Sequence, residues 1–539
     1  MSLTRSGVHH LWLTRRVTVN VSEYVRDAAA QTPDGVALVE HRDGRREVTW
    51  RELDQQADAV ARALSGRGLV AGARVAIVMA NRIDLPVAYY GILRGGMVAV
   101  PVNPRSTTRE IGRMLADSRA RVVLCDEAGV AQVREAVTDD QRIELVVDGA
   151  EPQAGETSFH AFLADATGAD PVAPADAEAL AVILYTSGTS GKPRGAMLSH
   201  RALIANVEQI AGIEVPAVTA DDICLGLLPL FHIYGLNCVL GQAVRQRARV
   251  VMVDGFDPEG LLDLIHDEGV TNVALAPPVV AAWAGREGLA ERLASVRVAF
   301  SGASALDPDL AESFHASSGK HIDQGYGLTE TAPVIATTVG SGRAPGTPPK
   351  PGSVGRPLPG IEVRIVEASG EDAAPGDPAE LWVRGDNLFS GYWPDGVDGP
   401  RDDGWYPTGD IGFIDEDGDL TLVDRLRELV IVSGFNVYPF EVEDVLAEVP
   451  GIAQVAVVGL PDEETGEAVV AFVVPDKDGT DHEAVVEAVE AHASTRLARF
   501  KQPSRVVVVT GLPRSATGKV AKGRLRALAR SETLGLDAT

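Results

Sequence analysis

Three cysteines in 539 residues, Cys125, Cys224 and Cys238, are too few and too scattered for a disulfide framework or a metal-ligand spacing. A reducing compartment is therefore expected. No apolar run approaches the ~20 residues that a membrane-crossing helix needs. The N-terminal "LWL" is too short to be the core of a secretory signal, and the C-terminal "LDAT" is not a peroxisomal address, so a cytoplasmic protein is expected. Positive charge is scarce too. Forty-nine Lys and Arg face 76 Asp and Glu, a net charge of −27, which excludes a general nucleic-acid binder. The scarcity is not uniform: residues 498–530 hold nine basic side chains and no acidic one.

What is present is ordinary for a large globular chain, with 45% hydrophobic and 23% charged residues. About two to four domains are expected at this length. The first half alternates short apolar runs with helical patterns. "RVAIVMAN" (74–81), "MVAVPVN" (97–103) and "RVVLCD" (121–126) read as strands, and "STTREIGRMLADS" as a helix with a hydroxyl cap and an early acid. The alternation returns at "RVVMVD" (249–254), "PEGLLDLIHDEG" and "NVALAPP". Strands alternating with helices imply βαβ units and parallel sheets, in two α/β lobes. From about residue 352 the texture turns to short strands with Gly, Pro and Asp turns, an antiparallel β pattern. A fresh α/β pattern starts after Asp424, which divides the chain into 1–423 and 424–539.

"YTSGTSGKPRG" (185–195) follows the apolar run 180–184. It is not a Walker A loop: the position five before Gly191 is Thr186, and Lys192 is followed by Pro193. Its glycines still let backbone N–H groups face an anion, its hydroxyls donate, and Lys192 and Arg194 add charge. A flexible Gly/Ser linker is the other reading. "QGYGLTE" (324–330) offers a flat ring, a hydroxyl and a hard carboxylate oxygen suited to Mg²⁺, or else is a glycine turn before a helix. "YPTGDIG" (406–412) offers Asp410, whose two oxygens can accept both hydroxyls of a ribose, or else is a surface turn. "LPRSATGK" (512–519) ends on a lysine in a small flexible loop.

Taken together and in this order, these stretches with "LPLFHIYGLN", "SGAS" and "DRLRELVIVSGFNVYPFEVE" resemble the adenylate-forming superfamily of acyl-CoA synthetases, 4-coumarate–CoA ligases and luciferases. The resemblance implies an α/β fold: a large multi-lobed N-terminal AMP-binding domain with two α/β sheets and a β-rich subdomain, then a small mobile α+β C-terminal domain. It implies an ATP-dependent, AMP-forming ligase. A carboxylate attacks the α-phosphate to give acyl-AMP and pyrophosphate, and the thiol of CoA then displaces AMP. ATP, Mg²⁺, CoA and a fatty or aryl acid are the implied ligands, in fatty acid metabolism or its relatives, with a homodimer as a candidate assembly. The alternative is an acyl-AMP ligase that loads a separate carrier protein.

The resemblance also assigns roles. Thr186, Ser187, Gly188, Thr189 and Ser190, with Arg194, would grip the phosphates. Thr329 and Glu330 would meet the α-phosphate, with Glu330 on Mg²⁺. Ala303, Gln324, Gly325 and Tyr326 would line adenine. Asp410 and Arg425 would hold the ribose, Lys519 would bridge the carboxylate and the α-phosphate, and Gly434 would approach the pantetheine arm. Asp424 would be the hinge between the half-reactions. His232 and Tyr234 would face the acyl group, with Gly235, Gly302 and Gly327 leaving it room. "FHIYGLN" holds no carboxylate to pair with an amino group, which counts against amino-acid activation. Arg194 stands where the family usually has Lys, which keeps the charge but changes the hydrogen-bond geometry. Arg427, Ile431 and Ser433 stand where 4-coumarate ligases carry lysines.

Overall fold

A computed structural model of the chain describes residues 19–42, 44–137, 142–168, 176–186, 193–302, 306–340, 348–425, 428–432, 435–462, 465–477, 479, 481–514 and 519–533. It is a mixed α/β protein with a large, multi-sheet N-terminal part and a smaller C-terminal one. The chain folds as two compact units: Met1–Pro349 with Pro357–Ile361 and Arg384–Tyr406, and Lys350–Arg356 with Glu362–Val383 and Pro407–Thr539.

In the first unit, a seven-stranded sheet grows from the valine-rich runs that the sequence marks as strands. Arg74–Val78 pairs in parallel with both Val98–Pro101 and Val122–Asp126. The crossovers are the helices Asp84–Arg94 and Thr108–Ser118. The second starts where a capping box allows it: the Thr107 hydroxyl accepts the Glu110 N–H while the Glu110 carboxylate accepts the Thr107 N–H. These strands are buried on both faces, as parallel strands between helices must be. Leu180–Thr186 joins Val98–Pro101 in parallel, then folds back antiparallel into Arg194–Ser199. The hairpin pairs from Leu180–Ser199, through a register shift between Leu180 and Val182, to Thr186–Arg194, with Arg194–Ser199 at the sheet edge.

A second sheet of the same unit runs through Arg249–Met252, Ile223–Gly226, Asn272–Leu275, Val298–Ser301 and Ile322–Gly327, all in parallel. Ile322–Gly327 then turns antiparallel into Val334–Thr337. One side of this sheet packs on a core that includes Trp283, Phe314, Ile265 and Leu293, all inaccessible to solvent.

The second unit is β-rich at first, with Tyr406–Ile414 antiparallel to Leu420–Arg425. It continues as the long hairpin Ile452–Asp462 and Gly466–Pro475, with Arg505–Val508 added in parallel. Alternate residues of that hairpin enter opposite cores, as period-2 geometry requires. Val457, Val469, Ala471 and Val473 pack with Val442, Leu446 and Val489 of the helices Pro439–Ala447 and His482–Arg496. Val458, Val470, Phe472 and Val474 pack with Leu525 and Ala529 of Lys522–Thr533. Covering both faces explains why "AVVAFVV" is an unbroken apolar run rather than an alternating one.

Candidate active site

The segment from Gln324 to Thr338 is a strand, a tight turn and a returning strand, and Glu330 sits on the turn. Gly327 is at the closest approach: a β-carbon there would stand 1.8 Å from the Pro333 carbonyl oxygen. A β-carbon at Gly325 would stand 2.4 Å from the Phe300 ring. The Gln324 N–H donates to the Thr338 hydroxyl (2.9 Å), and the Gln324 carbonyl accepts from the Thr338 N–H (2.9 Å). Tyr326 is buried.

Three asparagines that sequence reasoning did not single out hold this turn. Asn237 donates to the Ala332 carbonyl at 2.7 Å, Asn387 to the Thr331 carbonyl at 2.7 Å, and Asn206 to the Val334 carbonyl at 2.7 Å while accepting the Val334 N–H at 3.0 Å. All three are buried. Ala332 has φ +61°, a left-handed conformation that costs an alanine energy and persists only when its surroundings fix it. The asparagine side chains supply that constraint. Asn206 lies inside the helix His200–Ala211, where asparagine is a poor helix former. An asparagine at helical spacing from Leu203 and Ile210, on the apolar face of that run, is the signal the sequence offers.

Glu330 is half-buried. One carboxylate oxygen, Oε1, accepts the hydroxyl of Tyr392, and the Glu330 carbonyl accepts the Phe389 N–H at 2.9 Å. Burial, then the Glu330 charge, raises the Tyr392 pKa above its ordinary value, so the phenol is a hydrogen-bond donor at neutral pH. Among the described residues no partner is recorded for Oε2. Nor do the described residues hold any cluster of three or more His, Cys, Asp or Glu that could cage a metal. A lone carboxylate with one oxygen tethered and one available fits Mg²⁺ that arrives on a nucleotide, because Mg²⁺ is commonly bound by one or two carboxylates together with phosphates and water. Thr329 precedes Glu330 on the same turn, half-buried.

Arg194 opens the strand after the hydroxyl-rich loop. Its guanidinium lies 3.7 Å from the centre of the Tyr392 ring and pairs with Asp398 at 2.6 Å. The Thr186 hydroxyl lies 3.4 Å from the Arg194 carbonyl.

Asn81 holds the segment that leads to His232. It donates to the Leu228 carbonyl (2.8 Å) and accepts the Leu230 N–H (3.0 Å). His232 accepts the Tyr234 N–H on Nδ1 at 3.3 Å. The chain then enters a π-helix, Tyr234–Gly241, a geometry often found at functional sites. Gly235 allows its start: a β-carbon would stand 2.5 Å from the Pro229 carbonyl oxygen.

Tyr234 is only 5% exposed, and its hydroxyl has no partner among the described residues. Burial raises its pKa well above the ordinary phenol value. Its ring meets Phe300 edge-on, centroids 5.8 Å apart, and faces Gly302. With Leu228, Cys238, Val239 and Ala274 these rings form one apolar cluster. Cys238, Val239, Ala274 and Phe300 also line a partly open pocket with Ile210, Val218, Val298 and Val334; His232, Tyr234, Gly302 and Gly327, expected to face the acyl group, are not in its lining. No Asp, Glu, Lys or Arg lines it, and its polar side chains are committed: Asn272 donates to the Ala217 carbonyl, Gln242 to the Val207 carbonyl and Thr337 to the Gln324 carbonyl. Burial pushes the Cys238 thiol up to about 12, which makes it an apolar lining group rather than a nucleophile.

In the second unit, Asp410 is buried and stands directly opposite Arg425 in the ladder between Tyr406–Ile414 and Leu420–Arg425. Asp424 pairs with Ile411 in the same ladder. Lys519 is exposed. Ser187, Gly188, Thr189, Ser190, Ala303 and Gly434 lie outside the described residues, as do Arg427 and Ser433.

Two family models match the chain: the AMP-binding enzyme over residues 25–393, and the AMP-binding enzyme C-terminal domain over residues 441–519. The chain is 35% identical over 526 residues to an indoleacetate–CoA ligase of Aromatoleum aromaticum, covering 96% of this chain and 99% of that protein. It is 34% identical over 521 residues to a 4-coumarate–CoA ligase-like protein of Oryza sativa subsp. japonica, covering 94% and 92%. Among solved structures it resembles ATP-bound MatB of Rhodopseudomonas palustris, with a TM-score of 0.85, 30% identity and coverage of 96% and 100%.

Proposed function

The chain belongs to the AMP-binding enzyme family and is an AMP-forming acid–CoA ligase, and on that premise we propose that its substrate is a hydrophobic monocarboxylic acid, aryl or fatty, seated against Tyr234. The carrying observation is the apolar pocket lined by Cys238, Val239, Ala274 and Phe300, residues that also pack with Tyr234; no charged side chain lines it. A second carboxylate or an ammonium placed there would be buried without a partner, which costs several kcal/mol or more. An aryl or alkyl tail gains about 25 cal/mol per Å² of apolar surface removed from water.

The chain's residues divide the work of two half-reactions. The acid's carboxylate and the α-phosphate are both anions, so adenylation depends on neutralising charge. Thr186 and the loop that follows it hold the terminal phosphates, and Thr329 donates to the α-phosphate. Bound to Glu330 through its available oxygen, Mg²⁺ would supply charge neutralisation on the phosphates. Asp410 and Arg425, opposed in one ladder, hold the ribose. Lys519 bridges the attacking carboxylate and the α-phosphate, and its exposed position suits a group that must arrive and leave. Thioester formation then requires it to give way, with the chain pivoting near Asp424 and Gly434 lining the pantetheine path.

The test is product analysis after incubation with ATP, Mg²⁺ and an aryl or fatty acid, with CoA or with a phosphopantetheinylated carrier protein as acceptor. AMP, pyrophosphate and acyl-CoA in equal amounts support the reading. Acyl-AMP that is transferred to the carrier protein and not to CoA would establish the acyl-AMP ligase instead.

A further inference from the structure

Tyr392 lies outside every stretch that the sequence marked, yet it joins the two halves of the nucleotide site. Its hydroxyl donates to Glu330 Oε1, and the Arg194 guanidinium lies 3.7 Å from its ring centre. Its backbone is sewn to the strand that leaves the phosphate loop. Residue 392 bridges Ala196, the Trp393 N–H donates to the Gly195 carbonyl at 2.8 Å, and the Met197 N–H to the Gly391 carbonyl at 3.0 Å. On its other side, the Phe389 N–H donates to the Glu330 carbonyl at 2.9 Å. The turn is rigid by construction: the Tyr392 N–H donates to Val397, and Gly391, at φ +90°, would put a β-carbon 2.1 Å from the Gly396 carbonyl oxygen.

We propose that Tyr392 is a positioning residue: its hydroxyl fixes the Glu330 carboxylate in the orientation that receives Mg²⁺, at a set distance from the phosphate-loop strand. A free glutamate samples many rotamers, and ordering it on binding lowers metal affinity. Tethering Oε1 removes that cost and leaves Oε2 to the ion. The turn that carries Glu330 joins strands of one sheet and Arg194–Ser199 belongs to another, and residues 389–393 are the strap that keeps their spacing. The ring of Tyr392, stacked under Arg194, keeps that cation beside the strap rather than on the carboxylate, where it would compete with Mg²⁺. The inference rests on the assignment of Glu330 to Mg²⁺.

The test uses Tyr392→Phe, which keeps the ring under Arg194 and removes only the hydroxyl, beside Glu330→Gln. Calorimetry measures binding of α,β-methylene-ATP across a Mg²⁺ titration, and binding of a metal-independent acyl-sulfamoyl adenosine serves as control. Tyr392→Phe is expected to raise the Mg²⁺ concentration at half-saturation about tenfold, as for loss of a hydrogen bond to a charged group. The control ligand and the melting temperature should not move. An unchanged Mg²⁺ requirement in Tyr392→Phe, with a raised one in Glu330→Gln, overturns the role of Tyr392 alone. Equal weakening of both ligands makes Tyr392 a general structural support and overturns the proposal too. If Glu330→Gln also leaves the Mg²⁺ requirement unchanged, the metal assignment fails and the proposal with it.

Discussion

Gly302 and Tyr234 meet so closely that a β-carbon at residue 302 would lie 3.0 Å from Cε1 of the tyrosine ring. The ring cannot retreat freely, because Phe300 packs against it edge-on. Gly302→Ala is therefore expected to push the ring and narrow the acyl site. Such overpacking typically costs about 1–3 kcal/mol. The KM for the bulkiest accepted acid should rise while the KM for ATP stays near wild type. Tyr234→Ala should shift the ranking in the opposite sense, toward larger acids. A change in ATP affinity with an unchanged acid profile would remove both residues from the acyl site.

Asn237 ties the Glu330 turn to the rest of the unit through the Leu203 carbonyl (3.1 Å) and the Ala332 carbonyl (2.7 Å). Asn237→Leu leaves two buried carbonyls without their donor, a destabilisation of about 1–3 kcal/mol. It also releases the strained Ala332 beside Glu330. Chemical denaturation should show the first effect, and a roughly tenfold fall in adenylation rate, equivalent to about 1.4 kcal/mol, the second. Unaltered adenylation in a destabilised variant would confine Asn237 to the fold.

His200 makes stability depend on pH. It is buried at the start of the helix His200–Ala211, and its Nδ1 accepts the Val21 N–H at 3.2 Å. Burial lowers its pKa from 6.5 to about 4. Between those values the unfolded chain binds a proton that the folded site refuses. Stability is thus full above pH 6.5 and falls as the pH drops toward 4, by roughly 1.4 kcal/mol per unit. His200→Gln should lose less stability than wild type between pH 7 and about 4.5. Denaturation curves at the two pH values decide it, and parallel losses in both proteins would contradict the assignment.

Lys519→Ala should abolish adenylation yet spare thioester formation from supplied acyl-AMP. Loss of one charge-assisted contact in the transition state is worth about 10²–10³ in rate. Near wild-type pyrophosphate release by the variant would refute the role given to the lysine.

Much of this was legible in the sequence, for identifiable reasons. Strands such as Arg74–Val78 and Val122–Asp126 are short apolar runs between helical patterns, and the capping box at Thr107 and Glu110 announces its helix. Both survive tertiary packing because they are local signals. The contacts that organise the Glu330 turn are not local. Asn237 reaches a residue 95 positions away, Asn206 one 128 away, and Tyr392 one 62 away. Such bonds leave no periodic trace. Gly235 and Gly327 were read as room for an acyl chain, whereas the geometry gives a different reason for each: a backbone carbonyl already occupies the space a side chain would need.

The most direct measurement is acid-dependent ATP–pyrophosphate exchange by the wild-type protein, compared across phenylalkanoic acids, fatty acids of increasing length, a short dicarboxylic acid such as malonate, and amino acids. The charge-free pocket beside Tyr234 leads to rapid exchange with aryl or fatty monocarboxylates and little with malonate or amino acids. Exchange driven best by malonate or by an amino acid would contradict the assignment of that pocket to the acyl group.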